Sequence, residues 1–187
     1  MSEIEEFRKA KDIFFKTSPQ SPLTPEQKKV FSGLHYFPEN PALRFDLPLE
    51  RYANPEGVVM QTSTGGTQEY YKVGQVRFKV NGEEAALQVY EATDNPGAYF
   101  VPFVDATAPA ESYGAGRYLE PEEHHADELV VDFNFSYNPY CAYNDHWSCP
   151  FPPPENRLNA ESSQIPRPLR GEERGIRIEA GEQKFHD

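Results

Sequence analysis

The chain has 187 residues, a net charge of -12 from eighteen Lys and Arg against thirty Asp and Glu, 13% aromatic residues and eighteen prolines. The length fits one domain over residues 1–187, and the acidic field repels polyphosphate and anionic lipid, which argues against nucleic acid and membrane partners. No apolar run nears the ~20 residues of a spanning helix, and the opening MSEIEEFRKAKD is too charged for an export signal, so a soluble cytoplasmic protein is expected.

Residues 1–35 read as a helical arm. Over Ser2 to Lys16, Ile4, Phe7, Ala10 and Phe14 recur at spacings of three and four, and Ile13 and Phe15 widen the stripe. A second helix starts where Thr24 can cap, Pro25 suits the first helical position and Gln27 completes a capping box; Gly33 marks its expected end. Residues 36–55 are proline-dotted and irregular, with a short extended piece at 42–45. The period then changes to two, and residues 56–135 read as an antiparallel sheet. Its expected strands are 58–62, 69–73, 75–80, 85–91, 99–103 and 129–135, with Asn81-Gly82 as the strongest hairpin signal. Asp105 to Leu119 reads as a loop, and Glu120 to Asp127 as a solvated acidic turn. Residues 136–158 form an aromatic, proline-rich excursion, 159–175 a mobile insertion, and 176–187 a last strand and tail. The expected fold is mainly β with an N-terminal helical arm, its antiparallel sheet curled into a small barrel or sandwich.

The chain is organised around LVVDFNFSYNPYCAYNDHWSCPFPPPENRL, Leu129 to Leu158, which holds both cysteines and the single tryptophan. Its wording, D-F-N-x-x-Y-N-P-x-C-A-Y and then C-P-x-P-P-P-E-N, resembles the prokaryotic domain-of-unknown-function family 1684. The likeness extends to Phe14–Gln27, Leu34–Pro38, Thr62–Gly65, Phe103–Ala106 and Tyr113–Leu119. It departs from the family at Pro109 and at the 159–175 segment. The resemblance implies an architecture and shared positions, and no reaction.

Ionisable and amide residues gather on the non-periodic segments, where sites most often form. On the 129–135 strand, Asp132 and Asn134 are expected on one face, with Tyr137 and Asn138 just beyond. The 105–117 loop carries Asp105, Thr107, Glu111, Tyr113 and Arg117, and Glu155 and Asn156 follow the prolines. If these converge on a hollow, Asp132, Glu111 and Glu155 are the candidate acid/base groups. Arg117 would be the anion anchor, and Asp105, Tyr113, Asn134, Tyr137, Asn138, Trp147 and Asn156 would orient a small-molecule ligand. Against this, Arg117 can simply partner Asp105, Glu111 or Asp132, and the same residues can form an internal network in a non-catalytic structural or interaction module.

Cys141, His146 and Cys149, with His124 or His125, supply zinc-type ligands, but C-x4-H-x2-C fits no common zinc pattern. Reduced, half-buried thiols are the simpler reading. Gly114-Ala115-Gly116 lacks the helix a phosphate loop needs and reads as a turn. No flavin or nicotinamide fingerprint is present, and the cofactor, like the oligomeric state, is left open.

Overall fold

The computed structural model describes residues 2–80 and 82–158. The hairpin residue Asn81, the 159–175 insertion and the expected strand after it lie outside the described residues. The chain is mainly β, with two antiparallel sheets and an N-terminal helix.

Helix α1 spans Glu3–Thr17 and is capped by Ser2, whose hydroxyl accepts from Glu5 N while the Glu5 carboxylate reaches back to Ser2 N. Ile4 and Phe15 are its buried residues, and Ile13, expected on the inward stripe, is 55% exposed. Helix α2, Pro25–Val30, has the expected capping box of Thr24 and Gln27. It ends at Val30, before Gly33, because Phe31 turns extended and buries against Phe15 and Leu23. Tyr140 and Tyr143 of the distant aromatic excursion pack on the same cluster. The arm is therefore fixed to the body by apolar burial, which a six-residue helix needs.

The first sheet has the order β1-β8-β7, with β1 Arg44–Pro48, β8 Glu128–Asp132 and β7 Glu122–His125. The second runs β2-β3-β4-β5-β6: Glu50–Gln61, Thr67–Val80, Glu83–Ala92, Tyr99–Phe103 and Arg117–Leu119. Residues of both sheets, among them Leu47, Val76, Leu87, Val101, Leu129 and Val131, meet in one core. This is two packed layers, and no closed barrel is found among the described residues.

Several expectations change. Strands expected at 69–73 and 75–80 are one strand, β3, bent at Gly74, where a Cβ would lie 2.6 Å from Glu50 O. Only glycine admits that approach of β2 without a shift. Arg117–Leu119 and Glu122–His125 are strands rather than loop and turn; one is too short, and the other too uniformly exposed, to show alternation. The strand expected over 129–135 stops at Asp132. There the Asp132 carboxylate accepts from Asn134 N at 2.9 Å and starts a 3-10 turn at Phe133–Phe135. Such side-chain to backbone bonds compete with the ladder. Asp132 and Asn134 thus leave the extended geometry that would have set them on one sheet face. No helix of the described residues is long and apolar enough to cross a membrane.

Candidate functional site

The polar residues separate into two settings: a set of buried clamps and a pair of thiols.

The central clamp is Arg117. Strand β6 turns it inward, and its Nη2 donates to the Asp105 carboxylate while Nη1 donates to Ser136 Oγ at 3.1 Å. Phe37 and Phe103 rings lie 5.5 and 5.2 Å from the guanidinium carbon. The side chains of Arg117 and Asp105 are 8% and 1% exposed. Asp105 also accepts from Thr107 N at 3.0 Å and from the Thr107 hydroxyl, which ties the start of the 105–117 loop. Of the three partners open to Arg117 in the sequence, it pairs with Asp105.

Asp132, 9% exposed, accepts from both nitrogens of Asn134 and faces Arg44 at 3.7 Å. Asn134 in turn exchanges two hydrogen bonds with the Asn40 backbone, at 2.8 and 2.9 Å. Asn156 is completely buried. It accepts from Gln88 N at 2.7 Å and donates to Gln88 O and Pro102 O at 2.9 Å each, so it ties the proline run to β4 and β5.

The expected acid/base groups are dispersed among different partners. Asp132 belongs to the Asn134 clamp. Glu155 is exposed, accepts from Tyr90 OH at 3.1 Å and lies 3.7 Å from Lys72. Glu111 is half-buried on the 105–117 loop, where its N–H donates to Thr107 O at 2.7 Å. The Tyr137 hydroxyl donates to Glu120, and its ring lies 4.5 Å from Lys11 Nζ. Burial and Glu120 raise the Tyr137 phenol well above its ordinary value, so it stays protonated. Asn138 hydrogen-bonds Tyr143, whose phenol is pushed up to about 12 chiefly by burial.

Two surface hollows lie away from these clamps. One, of ≈ 390 Å³, is lined by Tyr52, Ala53, Asn54, Glu56 and Lys72 at the β2 bulge. The other, of ≈ 260 Å³, lies between α1 and the residues after α2, and Asp12, Lys16 and Phe31 are in its wall.

The second setting is the thiol pair. Cys141 opens toward Cys149 from a 3-10 turn at Tyr140–Ala142, and Cys149 Sγ accepts from Cys141 N at 3.3 Å. Tyr113 OH lies 3.9 Å from Cys141 Sγ. Interaction with Cys149 first, then with Ser63 and Tyr113, pulls Cys141 down to about 6, while interaction with Cys141 and burial push Cys149 up. The two thiols titrate as a pair, which loses its first proton early and its second late. Ser63 Oγ also reaches this group, but its single proton is directed to Trp147 O at 2.8 Å. Tyr113, beside the sulfur, is pushed up to about 12 by burial first and Cys141 second.

The β2–β3 turn braces the cysteine loop from outside. Ser63 N donates to Cys149 O at 2.9 Å, and Thr62, Thr64 and Ser148 hydroxyls form a chain of 2.8 Å bonds. Trp147 stacks edge-on against Tyr140, with centroids 4.9 Å apart. Tyr118 packs on both cysteines and donates to Pro150 O. For Thr62, Ser63 and Tyr118 the sequence offers one signal, their place in the family-like segments Thr62–Gly65 and Tyr113–Leu119. His146 is exposed, and among the described residues no three His, Cys, Asp or Glu side chains form a group that could hold a metal. Cys141, His146 and Cys149 therefore do not assemble as metal ligands.

No curated protein matches the chain. A solved structure that does is the solution NMR structure of an uncharacterized protein of Haloarcula marismortui: 34% identity over 88% of this chain and 95% of that one, with a TM-score of 0.65. The family model of proteins of unknown function, DUF1684, matches residues 29–163, and on that match the chain belongs to this family.

Proposed function

We propose that the chain is a non-catalytic structural or protein-interaction module, whose polar loop residues hold its surface in one shape. The observation that carries this reading is the Arg117–Asp105 pair. Both side chains are almost fully withdrawn from solvent, two guanidinium nitrogens donate to protein groups, and aromatic rings lie against the group. An anion anchor for a substrate needs a donor edge turned to an open space, and a general acid needs a reacting atom within hydrogen-bond reach. Asp132 and Asn156 spend their polar atoms in the same internal manner. The acidic net charge supports partners other than nucleic acid or anionic membrane.

A second reading, a small-molecule binder, is favoured by one observation: the hollow at the β2 bulge, where Lys72 stands 2.9 Å from Glu56 and 3.7 Å from Glu155. Bulges often re-aim side chains beside sites. A thermal-shift panel of small carboxylates, phosphates, amines and sugars separates the two. The expected result is no compound whose stabilisation depends on Lys72 or Glu56. A compound that raises the Tm of the native chain but not of Lys72→Met or Glu56→Gln would overturn the module reading, since both side chains line the hollow.

A further inference from the structure

The Cys141–Cys149 pair is not needed for the module reading, and its arrangement differs from that of two inert core thiols. Three segments far apart in the chain assemble on it: the β2–β3 turn through Ser63, the 105–117 loop through Tyr113, and the aromatic excursion itself. Cys149 Sγ accepts the Cys141 N–H at 3.3 Å at the start of the 3-10 turn, and the two side chains sit in one buried cluster. Both residues are buried, at 7% and 8% exposure, which excludes a protein-sized oxidant and calls for a small one.

We propose that Cys141 and Cys149 form a redox-active dithiol, which a hydroperoxide oxidises to an intramolecular disulfide. The Cys141 sulfur attacks one peroxide oxygen. The sulfur–oxygen bond forms as the oxygen–oxygen bond breaks, and the departing oxygen takes up a proton and leaves as water or an alcohol. Cys141 is then a sulfenic acid, oxidised by two electrons, and the peroxide is reduced by two. The Cys149 sulfur attacks Cys141 Sγ, the sulfur–sulfur bond forms, and the hydroxyl leaves with the Cys149 proton as water. In sum, two thiols and one hydroperoxide give one disulfide, one water, and one alcohol (a second water when the oxidant is hydrogen peroxide).

The attacking sulfur is suited to this role because the thiolate is the nucleophile, and contacts from Cys149 and Tyr113 favour that form. Cys149 and Tyr113 face it, and Tyr118, Tyr137 and Tyr140 pack on the same cluster. Cys149 is the resolving thiol. Trp147, the single tryptophan, lies inside the ring the disulfide would close and reports on it.

The test is intact mass and thiol count of the full chain, reduced, then treated with hydrogen peroxide. The native chain is expected to lose both titratable thiols and two hydrogen atoms of mass, with a change in Trp147 fluorescence reversed by dithiothreitol. Cys149→Ser should stop at Cys141 sulfenic acid, captured by dimedone, and Cys141→Ser should not be captured. Circular dichroism identifies any variant that fails to fold; the native-chain mass then decides alone. Two unchanged thiols, addition of oxygen without loss of hydrogen, or disulfide-linked dimers in place of the internal bond would each overturn the proposal. None of these outcomes depends on whether the chain binds a partner.

Discussion

The Arg117 clamp and the Cys141–Cys149 pair are both buried polar groups, and they solve burial in opposite ways. Arg117 and Asp105 are ionised, opposite in charge and held at fixed geometry, with Ser136 and Thr107 taking further bonds. Each group's desolvation is offset by its partner, so removing either strands the other. The thiols carry no opposite charge and are held by weak donors. Loss of one sulfur strands nothing ionic. The first region should therefore contribute stability, and the second reactivity.

The largest effect expected is from Asp105→Ala. It leaves a guanidinium buried without its carboxylate and should destabilise by about 3–5 kcal/mol in urea unfolding. A loss of only a few tenths would place Arg117 in water and dissolve the contrast. Next comes Asn156→Ala, which removes three hydrogen bonds at a fully buried position and leaves Gln88 N–H, Gln88 O and Pro102 O without it. At about 1–3 kcal/mol for each buried group left unsatisfied, part of it relieved by local shifts, a loss of about 3 kcal/mol is expected in the same measurement.

Cys141→Ser sharpens the other side. It keeps a small polar group in place, and its effect on Tm should correspond to less than about 1.5 kcal/mol. A cost comparable to that of Asp105→Ala would make the thiol pair a structural clamp as well.

The remaining effect is electrostatic and depends on pH. Burial lowers Lys11 to about 8, against the raising influence of Glu120 and Asp12. Because the folded value lies below the unfolded one of about 10.4, the unfolded chain binds more protons between the two, and the stability term rises with pH across that window. Below about 8 the buried ammonium weakens the fold. Lys11→Met should therefore gain most over the native chain at neutral pH, with the gap narrowing from pH 8 upward in melts followed by circular dichroism.

The sheets were legible where alternation ran long, as at Val76, Phe78 and Val80, and the helix starts where Thr24-Pro25 and Gln27 spelled a cap. The short strands at Arg117 and Glu122 were not, since three or four residues carry no period. The turn after Asp132 was hidden because the strand pattern continues through Phe133 and Phe135 while a side-chain bond overrides it. For the candidate site, Arg117 with Asp105 was within reach, being twelve residues apart and opposite in charge. Asn156 bonds the backbone of Gln88, 68 residues away, and a backbone partner leaves no mark in the sequence. The contact of Cys141 with Cys149 depends on a turn at Tyr140 that aromatic content alone does not specify.

A double-mutant cycle on Asp105 and Arg117, read by urea unfolding of native, Asp105→Leu, Arg117→Met and the paired substitution, tests most directly whether the polar loop residues satisfy one another. The expected result is that each single change costs several kcal/mol and the pair no more than the worse single, a coupling of about 2 kcal/mol or more. Independent, additive losses would contradict it and return both groups to solvent or to a guest.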